Sequence, residues 1–195
     1  PQDLLAHEGI DDDITLFGYS MGGAIATAFA ARSPERIRRL ILLAPAGMGL
    51  KLRGMSRTIR DVPVLGDWLM LAFYPGQHRR GTEAERDLPS TVSGIVDRQQ
   101  AELGLRGFVP AVLSSLRGIL SEDFEADHRA LRAGDVPVIA IWGREDAVVP
   151  LSAMGRLTEW SRHARQEVVD GAGHGLPYTH TDAVLAALRG TLADD

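Results

Sequence analysis

Apolar positions along this chain fall into two kinds of run. Residues 14–18 (Ile-Thr-Leu-Phe-Gly), 40–44 (Leu-Ile-Leu-Leu-Ala) and 136–142 (Val-Pro-Val-Ile-Ala-Ile-Trp) are short and nearly unbroken. Such runs predict strands covered on both faces, and 167–169 (Glu-Val-Val) is a weaker example. Elsewhere small and apolar residues recur at helical spacing. Over 22–31 the alternating alanines predict a helix packed closely on a sheet, ended by Ser33-Pro34. Residues 153–161 predict a second helix and 182–192 a closing amphipathic one. At the front, 3–7 reads as the end of a helix capped by Gly9. Strands alternating with helices predict an α/β fold on a parallel sheet, with helices on both faces.

Between 47 and 129 this rhythm stops. Helical stretches at 65–73, 92–103 and 108–120 alternate with Pro, Gly and charge, and no buried-type strand stands among them. The expected organisation is therefore an α/β core from 1–46 and 131–195, interrupted by a helical insertion over 47–130.

Length and charge narrow the picture. A chain of 195 residues fits one domain with a large insertion. A formal charge of −5 argues against a nucleic-acid partner, which needs clustered basic surface. Cysteine is absent, so disulfides and thiolate metal sites are excluded. No apolar run approaches the ~18 residues of a membrane span. The first residue is Pro1 and no charged-then-apolar leader follows it; the expected setting is cytoplasmic, with a targeting segment upstream of Pro1 left open. Lys51 is the only lysine among many arginines, a composition expected of a GC-rich bacterial genome.

Candidate chemistry begins at Gly18-Tyr19-Ser20-Met21-Gly22, which fits the nucleophile elbow G-x-S-x-G. A strand turning sharply into a helix pushes the serine hydroxyl out at the strand's end, and glycines two before and two after relieve the crowding. Met21 N–H is then aimed where an oxyanion would form. A serine hydroxyl needs a base, and the base an orienting carboxylate, in the chain order Ser, acid, His. Asp146 follows the strand ending at Trp142-Gly143, with Glu145 as its neighbouring rival. His174 lies between glycines in Gly171-Ala172-Gly173-His174-Gly175, a backbone free to aim an imidazole, with His180 as the fallback base. His7, His78, His128, His163 and His180 fall on polar or helical stretches and are expected to face solvent. No His and carboxylate cluster has metal-site spacing.

Three motifs in order, Gly-Tyr-Ser-Met-Gly-Gly, Trp-Gly-Arg-Glu-Asp-Ala-Val-Val-Pro and Gly-Ala-Gly-His-Gly, make the chain resemble the α/β-hydrolase superfamily, in its serine-nucleophile branch with a helical cap. Ser33-Pro34-Glu35-Arg36-Ile37 before a buried strand is also similar to the family. The resemblance implies catalytic roles for Ser20, Asp146 and His174, an oxyanion contact from Met21, and no cofactor or metal. It implies a cap over 47–130, whose Leu65, Trp68, Leu69, Phe73 and Phe108 either line an acyl pocket or pack the cap's own core. The chain departs from the family at its start. Members carry further strands and an oxyanion loop, written H-G-x-x-G, ahead of the nucleophile, whereas nineteen residues precede Ser20 here. The expectation is thus an N-terminally truncated chain holding the C-terminal half of the family's sheet. The first strand would then keep an open apolar edge suited to self-association.

The reaction the resemblance implies is hydrolysis of a small carboxylic ester or monoacyl lipid. Serine at the nucleophile position argues against the dehalogenase and epoxide hydrolase branches, which use aspartate there. Two alternatives stand beside it: carbon–carbon bond hydrolysis of ring-cleavage products, and a truncated non-catalytic fragment lacking the oxyanion loop. The expected partner is a small acyl substrate, with no nucleic acid and no membrane span.

Overall fold

The computed structural model describes residues 2–49 and 54–193. Four parallel strands, β1 (Ile14–Tyr19), β2 (Ile37–Leu43), β3 (Val138–Gly143) and β4 (Arg165–Val169), pair in the order β1-β2-β3-β4. The chain forms two compact units, one of residues 1–49 with 122–195 and the other of 50–121.

The first unit holds the sheet. Its helices are α1 (Gln2–His7), α2 (Met21–Arg32), α7 (Glu125–Ala133), α8 (Ser152–Trp160), α9 (Leu176–Thr179) and α10 (Thr181–Ala193), numbered in chain order with α3–α6 of the second unit. Every residue of β3 is buried because alternate side chains enter two different cores. Val138, Ala140 and Trp142 join Leu40 and Leu42 against Phe29 and Ala30 of α2, Leu131 of α7, and Leu157 and Trp160 of α8. Ile139 and Ile141 join Ile41 against Leu176 of α9 and Val184 and Leu188 of α10. β1 has a strand neighbour on one side only among the described residues, and its Phe17, opposite Ile41, is 60% exposed.

Several boundaries differ from the sequence expectation, two of them in the first unit's frame. β2 begins at Ile37, because the strand's entrance is solvated and tolerates Arg38 and Arg39, with Arg38 3.5 Å from Asp13. α7 belongs to the first unit, where Leu131 is fully buried. Chain exit and return are zipped together there. Met48 and Asp123 form an antiparallel bridge, and Phe124 N–H donates to Gly47 O at 3.1 Å. Gly47 has φ +90, and a Cβ there would lie 2.4 Å from the Phe124 ring, so only glycine fits.

The second unit is helical: α3 (Gly54–Asp61), α4 (Leu65–Glu83), α5 (Ile95–Ala101) and α6 (Phe108–Arg117). α4 runs well past the predicted end at Phe73, through Pro75. Its polar second half is held from α5, where Gln100 donates to Thr82 and Glu83 and His78 pairs with the Gln99 carbonyl at 3.0 Å. Arg117 donates to the carbonyls of Ile59 and Arg60 and pairs with Asp67 at 2.7 Å, clamping α3 and α4 to α6. Met70, Val109 and Leu113 form the small core, with Phe108 at its fringe. Leu65, Trp68 and Phe73 are 52%, 71% and 50% exposed, so they do not pack it. A cavity of about 410 Å³ lies between α4 and α6, lined chiefly by Met70, Leu71, Val109, Pro110 and Leu113. Among the described residues no helix is long and apolar enough to cross a membrane.

Candidate active site

Parallel strands deliver their C-terminal ends to one edge of the sheet, and the candidate residues sit there. Ser20 follows β1 directly and precedes α2, with φ 51 and ψ −121. That strained backbone is fixed from three directions. Ser20 N–H donates to Leu43 O at 3.0 Å, while Ser20 O accepts from Gly23 N–H at 2.9 Å and Ala46 N–H at 3.0 Å. The turn is tight at Gly18, where a Cβ would lie 2.6 Å from Gly22 O and Gly23 Cα. It is tight also at Gly23, against Pro45. Gly22 is different, since a Cβ there would meet nothing within 4 Å. The crowding expected around the second glycine of G-x-S-x-G therefore falls one residue later.

Serine at a helix N-cap ordinarily turns its hydroxyl back to the first turn. Ser20 makes no such bond. Its Oγ lies 2.9 Å from His174 Nε2, and His174 Nδ1 lies 2.8 Å from Asp146 Oδ2. Asp146 has a fully buried side chain, and its Oδ1 accepts from Val148 and Val149 N–H, both at 2.8 Å. A carboxylate accepting on both oxygens leaves Nδ1 as the protonated ring nitrogen. Nε2 is then the acceptor for the Ser20 hydroxyl. The rival Glu145 is exposed, its N–H donating to Ala172 O at 2.9 Å. His180 is half-buried, with Nδ1 2.9 Å from Thr179 Oγ1. Met21 opens α2, so its N–H has no intrahelical acceptor.

Sequence reasoning missed two features of this site. The backbone amides of Val148 and Val149 hold Asp146, and Tyr19 O–H donates to the His174 carbonyl at 2.8 Å. The run Asp-Ala-Val-Val hinted at the first, because a short acid often accepts from amides two and three residues on. Nothing in the sequence signalled the second. One histidine expected at the surface is not there: His128 is 0% exposed, stacked on Trp160 with ring centroids 6.0 Å apart. It lies one helical turn from Phe124 and one from Leu131, on the buried face of α7.

The sequence profile of the α/β-hydrolase fold matches residues 8–181. The chain is 26% identical over 188 residues to the 2-hydroxymuconate semialdehyde hydrolase of Pseudomonas putida, covering 92% of this chain and 62% of that protein. It is 27% identical over 183 residues to a pimeloyl-[acyl-carrier protein] methyl ester esterase of Neisseria meningitidis, covering 92% of this chain and 70% of the esterase. Among solved structures, the 2-hydroxy-6-oxo-6-phenylhexa-2,4-dienoate hydrolase of Rhodococcus sp. strain RHA1 superposes with a TM-score of 0.71 at 23% identity, covering 97% of this chain and 67% of that one. The chain spans about three fifths of the length of the first curated relatives it matches. A profile match across most of its length, joined to this fold, shows that the chain belongs to the α/β-hydrolase fold family.

Proposed function

We propose that Ser20, His174 and Asp146 act as nucleophile, general base and orienting acid of a hydrolase. The observation that carries this reading is the continuous hydrogen-bonded line from Ser20 Oγ through both His174 nitrogens to the buried Asp146 carboxylate, at 2.9 and 2.8 Å. The hydroxyl's absence from helix capping supports it further, since an ordinary N-cap serine would use that oxygen locally.

In this mechanism Ser20 Oγ adds to the substrate carbonyl as its proton passes to His174 Nε2. Asp146 holds the tautomer and steadies the imidazolium without taking the proton. Met21 N–H, at the positive end of α2, stabilises the oxyanion. His174 then returns its proton to the leaving group, and water repeats the sequence in reverse on the acyl-enzyme. The proposed substrate is a small carboxylic ester or monoacyl lipid, and the cap role belongs to the helical unit.

Carbon–carbon hydrolysis is the second reading, and the names of two relatives favour it: both are 2-hydroxymuconate semialdehyde hydrolases, 26% and 28% identical to this chain. The same serine would add to an aldehyde or ketone carbonyl of the ketonised substrate, and the departing group would be a dienolate carbon, protonated from His174, in place of an alkoxide.

Labelling by a fluorophosphonate probe, with Ser20→Ala as control, tests the shared step. Labelling that disappears in the variant is expected. A folded sample that does not label, or a variant that labels as well as the parent, would refute the assignment. Parallel assays on p-nitrophenyl esters of graded chain length and on a 2-hydroxy-6-oxo-dienoate then separate the two readings.

A further inference from the structure

Tyr19 occupies the free position of G-x-S-x-G, where the elbow's geometry demands no particular side chain. Its phenol O–H nevertheless reaches across 155 residues of sequence to donate to the His174 main-chain carbonyl at 2.8 Å. Its ring lies 5.2 Å from the imidazole, the two planes inclined at 34°. The rest of the side chain packs against the core that α9 and α10 make on the sheet.

We infer that Tyr19 is a positioning residue that sets the His174 loop over the elbow, an inference resting on the serine-hydrolase reading above. The loop carries glycines at 171, 173 and 175, and its backbone is intrinsically free. Ala172 O is held by Glu145 N–H, and Gly175 O by the N–H groups of Tyr178 and Thr179. Between these anchors the carbonyl of His174 itself is held by Tyr19. Asp146 restrains the imidazole through one bond at Nδ1, about which the ring can still tilt. Fixing the His174 backbone removes that freedom. Because Tyr19 directly precedes Ser20, one residue of β1 carries both reacting partners, the serine through a peptide bond and the histidine through a phenol. Such coupling matters because a misplacement of about 1 Å can cost roughly 10² in rate.

Tyr19→Phe keeps the ring and removes only the hydrogen bond. The expected result is a three- to tenfold fall, roughly what one neutral hydrogen bond commands, in kcat and in the fluorophosphonate labelling rate, with KM unchanged. A second readout does not need catalysis: in histidine labelled with nitrogen-15, solvent exchange of the His174 Nδ1 proton should quicken by a similar factor. Unchanged exchange and labelling in Tyr19→Phe would overturn the inference. So would an equal slowing in Leu188→Ala, a buried core variant, once the two are matched in thermal midpoint. If Ser20→Ala labels like the parent, the hydrolase reading fails, and proton exchange alone decides whether Tyr19 positions the loop.

Discussion

Acidification between pH 6.5 and 4 should weaken the sheet-bearing unit through one side chain, His128. The imidazole is fully buried, and neither ring nitrogen has a hydrogen-bond partner among the described residues. Burial pushes its pKa down from 6.5 to about 4. In the unfolded chain the ring takes its proton near 6.5, while the folded ring resists until about 4. Across that window the unfolded state binds more protons, so stability falls as pH falls. The contribution is whole above the unfolded value and fully lost below the folded one. An interval of about 2.5 units at about 1.36 kcal/mol each sets a ceiling near 3 kcal/mol. About 2 kcal/mol of it should be gone by pH 5. That is a sizeable share of the roughly 5–15 kcal/mol that stabilises a typical domain. His128→Leu keeps the side chain's bulk and abolishes the titration. Carboxylates elsewhere titrate in both proteins and cancel in the difference. Urea unfolding between about pH 7.5 and 5 should therefore cost the parent about 2 kcal/mol more than the variant. Parallel stability curves would refute the reasoning, as would an NMR titration in which His128 gains its proton near 6.5.

Two further outcomes are expected around the elbow and the acid. Gly18→Ala should cost about 1–3 kcal/mol or more by overpacking, whereas Gly22→Ala should be neutral or gain up to about 1 kcal/mol of helix propensity; equal thermal midpoints would sink the steric account. Asp146→Asn keeps an acceptor for Val148 and Val149 N–H but presents N–H to His174 Nδ1, inverting the tautomer. Its kcat should fall by about 10⁴ with folding intact. Asp146→Ala should in addition lose about 1–3 kcal/mol in urea unfolding, because two amides are left unpaired.

Much of the fold was legible because its signals are local. β3 is an unbroken apolar run, and the structure buries all of it. The residues around Ser20, Asp146 and His174 could be picked from motif and chain order, since each depends on a turn of a few residues at a strand's end. What was not legible depends on partners distant in sequence. α4 continues through Pro75 because α5 supplies hydrogen bonds to its polar half, a rescue no window around residue 75 contains. The crowding at Gly23 comes from Pro45, beyond the end of β2. His128 is the instructive case, because the pattern was present. Phe124, His128 and Leu131 share a helical face, so position marks His128 as buried although its polarity marks it as exposed.

The strain at the elbow bears on how the site keeps its geometry. Ser20 and Ala44 have φ values of 51 and 42, each the first residue past the end of one of two adjacent strands. Non-glycine residues in that region cost about 1–3 kcal/mol each and persist only where the surroundings over-determine them. Here they do. Ala44 N–H donates to Ile141 O at 2.9 Å, in the strand beyond, and Ser20 N–H to Leu43 O at 3.0 Å. Two buried strands thus lock a bend that β1 would not adopt alone. The same logic extends to the other two members of the line. Val148 and Val149 amides fix Asp146, and Tyr19 fixes the His174 carbonyl, so each of the three is held by backbone geometry as well as by its neighbour. A site held in this way should lose rate when a tether is cut even though all three side chains remain, which is why Tyr19→Phe discriminates more sharply than removal of Ser20. Loss of the serine tests only whether it reacts; loss of the tether tests whether its placement is part of the chemistry.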